Sequence, residues 1–386
     1  MDTSFELRKF VAPEFVFGMG ARHLAGRYVR NFRAKKVLLV TDDGIKNTPL
    51  VSDLIRSLKE SGVEFEIFSD IQPNPRSENV MDGAELFEKK NCTALVALGG
   101  GSVIDCAKGI GIVSSNYKHI TEFEGVDRIS IPPPPLVCIP TTAGSSADVS
   151  QFAIITDPNR KVKMALISKA LVPDIALIDP ETLVTMSPDL TANTGLDVLT
   201  HAIEAYVSNA SSPITDVHAL EAIRLITGFL PLAVREPGNL HYRGKTMLAS
   251  LHAGLAFSNA SLGAVHAMAH SIGGYLDFPH GECNALLLDS VIAYNYSAAA
   301  RRYETINAIM KSEMETSTAQ EHKQNLIDRI RVFRKTVGIN ESLGTMGVKK
   351  EEIPALAAYA MKDACMVTNP RRPTQPDIEA IYEAAL

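Results

Sequence analysis

Three histidines lie within one short apolar stretch of the sequence, at His266, His270 and His280. His266 and His270 are four residues apart, so a helix would present both side chains on one face. We expect Gly273–Gly274 to end this helix and Pro279 to prevent its immediate resumption, which would let His280 fold back towards His266. The spacing therefore predicts a pocket of imidazoles that could bind a metal ion.

A second apolar helical pattern lies upstream and carries Asp197 and His201, which are also four residues apart. Two helices that each offer such a pair can close around one ion. Together with His266 and His280, these residues would supply one oxygen and three nitrogen ligands. That set suits Fe(II), Zn(II) or a neighbouring first-row ion, so the ligands alone do not name the metal.

Each of these residues also has a simpler interpretation. A single histidine in an apolar helix is often a hydrogen-bonded core residue. Thr194 and Asp197 fit a capping box, in which Asp197 would serve only the first turn of a helix. The metal site is the stronger hypothesis because two separated segments carry suitable residue types at a suitable pitch.

A glycine-rich loop at Gly99–Gly101 directly follows an apolar strand pattern, and a helical pattern opens near Ser102. Glycines let the backbone approach a phosphate, and the free amides at a helix start favour negative charge. The loop predicts a site for a nucleotide pyrophosphate; the alternative is a tight turn that binds no ligand. A second loop of small hydroxyl residues, 140–146, could hydrogen-bond to a phosphate or an amide.

Asp42 follows the first predicted parallel strand. A carboxylate there could accept hydrogen bonds from an adenosine ribose and would repel a 2′-phosphate, so it predicts NAD rather than NADP. On the sequence alone, Asp42 could equally be a loop residue that caps the next helix.

These residues need a scaffold in which strands alternate with helices. Aliphatic runs predict buried strands at 36–41, 64–68, 93–98, 136–140 and 175–178. Helical patterns of ten to fifteen residues separate most of these runs, which indicates a parallel sheet covered on both faces. A turn at 157–160 between two further apolar runs predicts an antiparallel hairpin.

After residue 186 the strand patterns give way to long amphipathic patterns rich in alanine and leucine. We therefore predict a dinucleotide-binding α/β domain at 1–186 and an all-α metal-binding domain at 187–386.

The composition restricts the partners and the compartment. The formal net charge is −6 and no basic run occurs, so nucleic acid and anionic membrane surfaces are not expected partners. We count no apolar run of the ~18 to 20 residues that span a membrane, and the segment 1–9 lacks the apolar core of a signal peptide. The five cysteines are scattered without a Cys-x-x-Cys motif, as in a reducing compartment. We predict a soluble cytoplasmic protein.

These segments resemble the iron-containing (group III) alcohol dehydrogenase family over nearly the whole chain. The matching motifs follow the family's order: GGGSxxD at 99–105, PTTAGSSAD at 140–148, DIALIDP at 174–180, GLDVLTHAIE at 195–204, VHAMAH at 265–270, PHG at 279–281 and TNPR at 368–371. Gly144–Asp148 departs from the Gly-Thr-Gly-Ser-Glu run of many members, and Asp289 replaces a usual proline. Zinc-type glycerol dehydrogenases of the superfamily use two histidines and one aspartate, so three histidines favour iron.

The resemblance implies a nucleotide-binding domain like that of dehydroquinate synthase, a helical metal-binding domain, and an active site in the cleft between them. It places the iron ligands at Asp197, His201, His266 and His280, with His270 beside the nicotinamide. It places the cofactor contacts at Asp42, Asn74, Gly100, Gly101, Ser102, Thr141, Thr142, Lys163 and Thr182. It places the lining of the substrate pocket at Phe152, Phe257 and Cys365.

The implied function is a metal-dependent alcohol dehydrogenase that interconverts a short primary alcohol or diol and its aldehyde, with NAD favoured over NADP. The metal would lower the pKa of the alcohol, and His270 is the candidate proton relay. The resemblance also implies a homodimer or a larger homo-oligomer.

Three other functions remain open from the sequence. A glycerol or glycerol-phosphate dehydrogenase is one, although no cluster of lysine or arginine occurs around 257–284 to bind a phosphate. A lyase like dehydroquinate synthase is another. The third is a metal-binding or nucleotide-binding protein without catalysis.

Overall fold

The structure is a computed structural model of the chain, and it describes residues 7–310 and 319–386. The first six residues, which form part of the segment used above to argue against a signal peptide, lie outside the described residues.

The first half of the chain supplies every strand of the described residues. In chain order the strands are β1 Glu14–Phe17, β2 Lys36–Val40, β3 Glu64–Phe68, β4 Ala94–Gly99, β5 Gly125–Val126, β6 Leu136–Pro140, β7 Phe152–Asp157, β8 Val162–Ile167 and β9 Ile175–Ile178. Six of them form one sheet in the order β1-β9-β6-β4-β2-β3, with every neighbouring pair parallel. Every residue of β4, β6 and β9 is buried, as expected for strands covered on both faces.

Four helices cover this sheet, and alternate strand residues face them. The helices are α1 Ala25–Asn31, α2 Pro49–Glu60, α3 Ser77–Lys89 and α4 Gly101–Asn116. On one face Leu39 and Val96 pack in a cluster with residues of α1 and α2. On the other face Leu38 and Leu95 pack with residues of α3 and α4. The period-two alternation of the strands thus separates two apolar cores.

The predicted hairpin is confirmed, since β7 and β8 pair in antiparallel register within a second sheet of order β5-β8-β7. Two strands were not predicted. β1 has four residues and lies at the edge of the large sheet, where Phe15 and Phe17 are exposed. β5 has two residues. Both strands are too short and too exposed to show a buried-strand pattern.

The second half is helical in the described residues. Its helices are α5 Pro188–Val207, α6 Pro213–Arg235, α7 Leu240–Ala260, α8 Ala264–Leu276, α9 His280–Asn295, α10 Ala300–Ile309, α11 Ala319–Thr336, α12 Leu343–Met346, α13 Ile353–Ala360 and α14 Gln375–Ala385. Residues of all ten helices, α5 to α14, share one apolar core. An α/β domain followed by a helical domain is the predicted fold class, which is confirmed.

The helix α6 differs from the sequence prediction in one respect. Its 23 residues are long and apolar enough to cross a membrane by length and composition, although we counted no such run. Ala219, Ile223 and Ile226 on this helix are nevertheless fully buried in the core of the helical domain. A core helix of a folded domain passes the same composition test.

The helix that carries His266 does not end at Gly273–Gly274, so that prediction was wrong. Helix α8 continues to Leu276 and ends at Asp277, whose φ of 58° is left-handed. The two glycines serve close packing instead. A Cβ on Gly274 would lie 2.9 Å from the backbone nitrogen of Lys163, and one on Gly273 would lie 2.8 Å from the Nζ of the same lysine. Small residues here let α8 approach β8 closely.

The prediction for Pro279 was also wrong in part. Pro279 is the N-cap of α9, so the helix resumes at once and His280 is its first residue. The chain turns between Asp277 and Pro279, which still brings His280 back to His266, with 5.3 Å between the ring centroids. The domain boundary near 187 remains a prediction; β9 ends at Ile178 and α5 begins at Pro188.

Candidate metal centre and cleft

A cleft of about 740 Å³ lies between the carboxyl ends of β4 and β6 and the helices α5, α8 and α9. Gly101 and Thr141 line it on the side of the sheet, and His201 and His266 line it on the side of the helices. The carboxyl ends of parallel strands are where open α/β sheets bind their ligands. The cleft is large enough to hold a cofactor and a small second molecule side by side.

Three helices bring the four predicted metal ligands together. Asp197 and His201 lie one turn apart on α5, His266 lies in the first turn of α8, and His280 begins α9. From Asp197 Oδ1 the distances are 3.8 Å to His201 Nδ1, 3.6 Å to His266 Nε2 and 3.9 Å to His280 Nε2. Helix α5 begins nine residues before Asp197, so the alternative of a capping box at Thr194 was wrong.

These distances fit a shared cation. Atoms bound at about 2.0 to 2.2 Å from one ion lie roughly 3 to 4 Å from each other. Within the described residues, Nδ1 of His201, the ring nitrogen that lies 3.8 Å from Oδ1 of Asp197, is buried and has no hydrogen-bond partner. Asp197, His201 and His266 are almost fully buried. One carboxylate and three imidazoles, with Nδ1 of His201 unsatisfied, form a donor set that a divalent ion would complete.

The protonation states of Asp197, His201 and His280 are consistent with a site for a cation. Burial alone would raise the pKa of Asp197, but the rings of His201, His266 and His280 lower that pKa well below its usual range. Burial lowers the pKa of His201 to about 3 and that of His280 well below its usual value. Asp197 is therefore anionic while these two rings are neutral, which is the protonation that metal ligands require.

Glu204 holds the third ring. It lies on α5 one turn after His201, and its Oε2 accepts a hydrogen bond from Nδ1 of His266 at 2.6 Å. The same carboxylate accepts the backbone N–H of Val265 at 2.7 Å and that of Gly263 at 3.1 Å, at the start of α8. Burial pulls the pKa of His266 down, but the carboxylates of Asp197 and Glu204 raise that pKa to about 9, so an ion has to displace a proton from this ring. Glu204 thus caps α8 and turns Nε2 of His266 towards Asp197.

We expect Glu204→Gln to weaken metal binding about 10- to 100-fold, because losing the partner of a ligating histidine loosens its orientation. The amide keeps the length of the side chain but loses the charge of a carboxylate that accepts four N–H groups. The dissociation constant for Zn²⁺, measured by competition with a chromogenic chelator, checks this. Glu221→Gln is the matched control, since Glu221 pairs with Arg224 on the surface of α6. Equal affinity in the two variants would contradict the role of Glu204.

His270 lies beside the ligands and has its own carboxylate partner. Its ring is stacked on that of His280, with 5.1 Å between centroids. Its Nδ1 is hydrogen-bonded to Oδ2 of Asp363 at 2.9 Å, while the other oxygen of Asp363 accepts the N–H of Cys365 at 2.7 Å. Asp363 therefore fixes the ring of His270, which leaves Nε2 as the ring nitrogen free to meet a molecule in the cleft.

Most of the predicted cofactor contacts line the same cleft. They are Asp42, Asn74, Gly100, Gly101, Ser102, Thr141, Thr142 and Lys163. The glycine loop packs against the 140–146 loop, where a Cβ on Gly101 would lie 2.5 Å from Oγ of Ser145. Gly100 is the N-cap of α4 and Gly101 its first residue, so the helix start faces the cleft as predicted.

Two of the predicted cofactor residues make structural hydrogen bonds. Oδ1 of Asp42 accepts the backbone N–H of Gly44 at 2.7 Å and of Ile45 at 3.2 Å, so Asp42 orders its own loop while lining the cleft. Thr182 is fully buried and is not among the cleft residues. Its hydroxyl donates to the carbonyls of Pro140 and Asp179. The structure does not bring Thr182 to the cofactor side of the cleft.

Lys163 and Asn74 join the two walls of the cleft. Nζ of Lys163 donates to Oδ1 of Asn74 at 2.8 Å, and Nδ2 of Asn74 donates to Oδ1 of Asp277 at 2.8 Å. Asn74 adopts a left-handed φ of 57°. Burial lowers the pKa of Lys163. This chain of contacts links the hairpin, the loop before α3 and the end of α8.

The three predicted pocket residues also line the cleft, next to the metal ligands. Phe257 is stacked on His201 with 4.3 Å between ring centroids, and Phe152 lies 5.8 Å from Phe257. Cys365 is buried. These side chains form an apolar wall on one side of the four ligand residues.

The sequence analysis missed three residues that contact the candidate ligands or His270. Glu204 has a visible signal, because it follows Asp197 and His201 at the i, i+4, i+7 spacing of one helix face. Asn284 lies one turn after His280, and its Nδ2 is 2.7 Å from Oδ1 of Asp197. Asp363 gives no signal in the sequence, since 93 residues separate it from His270.

Comparisons with known proteins agree with the geometry. The family model "Iron-containing alcohol dehydrogenase" matches residues 12–180, and "Fe-containing alcohol dehydrogenase family, C-terminal" matches residues 191–386. Alcohol dehydrogenase 4 of Schizosaccharomyces pombe is 41% identical over 98% of this chain and 89% of its own length. The 1,3-propanediol dehydrogenase of Klebsiella pneumoniae is 37% identical over 99% of this chain and 100% of its own.

Solved structures show the same similarity over the whole chain. A crystal structure of 1,3-propanediol oxidoreductase superposes with a TM-score of 0.96 at 37% identity, covering 99% of this chain and 100% of the other. An alcohol dehydrogenase from Oenococcus oeni gives a TM-score of 0.95 at 35% identity, covering 98% and 100%. Two family models together match most of the sequence, and the relatives are similar over nearly their whole length. The chain therefore belongs to the iron-containing alcohol dehydrogenase family.

Proposed function

We propose that this protein is an NAD(H)-dependent alcohol dehydrogenase that interconverts a short primary alcohol or diol and its aldehyde. The observation that carries the proposal is that Oδ1 of Asp197 has a ring nitrogen of His201, His266 and His280 within 3.9 Å, in a cleft that a glycine loop lines on its other side. Relatives named methanol dehydrogenase, 1,3-propanediol dehydrogenase and lactaldehyde reductase support a small alcohol or aldehyde as the substrate.

The four ligand residues would hold a divalent ion, with Fe(II) as the first choice and Zn(II) as an alternative. Such an ion supplies Lewis acidity that lowers the pKa of an alcohol hydroxyl. Glu204 keeps the ring of His266 in the orientation this requires. The anionic charge of Asp197 offsets the charge of the ion within a buried site.

The nicotinamide ring of the cofactor would accept the hydride. The cofactor would then lie against the side of the cleft that the sheet forms. We propose that Gly100, Gly101 and Ser102 bind its pyrophosphate through backbone N–H groups at the start of α4. Thr141, Thr142, Asn74 and Lys163 line the same wall and offer further polar contacts. The apolar wall of Phe152 and Phe257 would limit water around the reacting carbon.

His270 is the residue we propose for proton transfer. Its ring lies against His280 and is fixed by Asp363, which leaves Nε2 to accept a proton from the alcohol hydroxyl or return it to the product. A positioned base of this kind needs a constant orientation, and the buried carboxylate of Asp363 supplies it.

The charges that line the cleft favour a neutral substrate. Among the described residues that line the cleft, Lys163 is the only lysine or arginine, and its Nζ is hydrogen-bonded to Asn74. A glycerol-phosphate dehydrogenase would need a free cation beside the metal ligands to bind the phosphate. A neutral alcohol needs none.

The test is absorbance of NADH with anaerobically purified protein and a panel of C2 to C4 alcohols, diols and aldehydes, with glycerol and glycerol phosphate alongside. We expect steady NADH formation with a short alcohol or diol and steady consumption with its aldehyde. Turnover confined to glycerol phosphate would contradict the proposed substrate class. Absence of any net NADH change with the whole panel would contradict the dehydrogenase.

Asp42→Gly tests the cofactor preference. A carboxylate at the end of β2 would accept the ribose hydroxyls of NAD and repel the 2′-phosphate of NADP. We expect the ratio of kcat/KM for NAD to that for NADP to fall about tenfold or more, as expected when a repulsion worth about 1.4 kcal/mol or more is removed. Initial rates with both cofactors give the ratio.

The neighbouring Asp43→Gly is the matched control, since Asp43 also lines the cleft, but its carboxylate is exposed and pairs with Lys46. We expect it to leave the ratio unchanged. If Asp42→Gly also left the ratio unchanged, Asp42 would have no part in choosing the cofactor.

We further propose that the protein acts in the cytoplasm as a homodimer or a larger homo-oligomer. The five cysteines support a reducing compartment, because all are buried as free thiols. Light scattering coupled to size-exclusion chromatography measures the oligomeric state; a monomer mass would contradict that part of the proposal.

A further inference from the structure

Asn284 lies at the centre of the ligand set and has no role in the proposed mechanism. It is one turn after His280 on α9 and is fully buried. Its Nδ2 donates a hydrogen bond to Oδ1 of Asp197 at 2.7 Å. The same nitrogen lies 3.2 Å from Nε2 of His266 and 3.2 Å from Nε2 of His280.

The orientation of this amide follows from its contacts. An oxygen in place of Nδ2 would face the anionic carboxylate of Asp197 at hydrogen-bond distance and would be repelled. Among the described residues, Oδ1 of Asn284 is buried and finds no hydrogen-bond partner. The side chain is therefore held by its donor end alone, even though leaving a buried carbonyl oxygen unsatisfied costs free energy. Its contacts to the ligand atoms have to offset that cost.

The lone pairs that Asn284 contacts are those a cation needs. A primary amide offers two N–H groups, so it can serve Asp197 and one of the two rings at a time. The bond to Asp197 is charge-assisted and is the strongest of these contacts. A ring nitrogen has one lone pair, so the amide has to leave Nε2 of His266 or His280 before an ion can bind there, whereas Oδ1 of Asp197 has lone pairs for both the amide and an ion. An ion bound by these atoms would also face the positive end of the amide.

We infer that Asn284 is a positioning residue that sets the affinity of the site for divalent cations. Its amide satisfies Asp197 and a neighbouring ring in the metal-free protein, keeps these buried groups together, and competes with the ion for them. This inference rests on the proposed metal site. It adds to that site a fifth side chain, one that lowers the affinity while protecting the fold of the metal-free protein.

Competition between the amide and the ion predicts the direction in which the dissociation constant for the ion changes when the amide is removed. Removing the amide takes hydrogen bonds from the metal-free protein, where Asp197 would be left buried without its donor. It takes less from the loaded protein, where the ion occupies the lone pair of the ring nitrogen and lies close to the positive end of the amide. The metal-free state rises in free energy relative to the loaded state, so the dissociation constant has to fall.

The experiment compares Asn284→Ala with the wild-type protein, each as the Zn²⁺-loaded and the chelator-stripped full chain. We expect the dissociation constant for Zn²⁺, measured by competition with a chelator, to fall about tenfold or more, the size of one hydrogen bond to a charged group. We expect the Tm of the stripped protein to fall further than that of the loaded protein. If stripped Asn284→Ala does not fold, Asn284→Ser keeps one donor and should show the same changes at smaller size.

Asn295→Ala is the matched control, since Asn295 lies on the same helix and exchanges amide hydrogen bonds with Asn369. It should lower the Tm of both forms equally and leave the dissociation constant unchanged. The same behaviour in Asn284→Ala would show a structural residue and overturn the inference. A dissociation constant that rises would show that Asn284 helps to bind the ion, and would overturn it too. Failure of the wild-type chain to bind any divalent ion would instead refute the proposed site.

Discussion

His266→Ala is expected to lose the bound metal and the dehydrogenase activity together. Among the four candidate ligands, His266 has its Nδ1 fixed by Glu204, and its Nε2 lies 3.6 Å from Oδ1 of Asp197. Alanine removes one of three imidazoles and leaves Glu204 buried without the ring that donates to it. Since Lewis acidity contributes several kcal/mol to such reactions, kcat/KM should fall roughly 10³-fold or more. Metal content per chain and the initial rate of NADH formation are measured on the same preparation.

His252→Ala is a suitable control for this substitution. His252 lies on α7 and is hydrogen-bonded to His218, and neither residue lines the cleft. The control should keep both the metal and the activity. A His266→Ala protein that retained a full equivalent of metal, or that lost metal without losing rate, would contradict the assignment of His266 as a ligand.

His270→Ala is expected to lower the dehydrogenase activity without releasing the metal. The ring lies one turn from His266 on α8, yet its Nδ1 is engaged with Asp363 and its ring is stacked on that of His280, which suits a proton relay beside the candidate ligands. Loss of a positioned acid or base costs about 10²- to 10⁴-fold in kcat. The variant should therefore bind one metal ion per chain, as the wild-type protein does, and turn over far more slowly.

The metal content per chain and the initial rate are again measured on the same preparation. A His270→Ala protein with an empty metal site would show that His270 belongs to the ligand set, and the division of labour between the two histidines would be wrong. Asp363→Asn provides an independent check, since it should lower kcat in the same direction while the metal stays bound.

The ligand quartet could be proposed from the sequence because helical spacing fixes which side chains share a face. Asp197 with His201 is such a pair, and the structure brings both to His266 and His280. The strands of the large sheet were equally readable, since uniform runs of apolar residues mark strands that are buried on both faces. These features depend on local pattern alone.

Other features depend on contacts between distant parts of the chain, and such contacts produce no recognisable pattern in the sequence. Gly273–Gly274 looked like a helix end, whereas their small size serves the close approach of β8, nearly 110 residues upstream in sequence. Thr182 matched a cofactor position by motif, but its hydroxyl is engaged with Pro140. Asn284 and Asp363 act on residues that only the folded chain brings within hydrogen-bond distance.

The most direct test of the account is a titration of chelator-stripped protein with Fe²⁺ in the absence of oxygen, while NADH formation from NAD and propane-1,3-diol is followed. We predict that activity is absent after stripping, returns in proportion to the iron added, and reaches its maximum at one ion per chain. Full activity in the stripped protein, or iron bound at one ion per chain without any return of turnover on the alcohol and diol panel, would contradict the claim that these four side chains form a catalytic metal site.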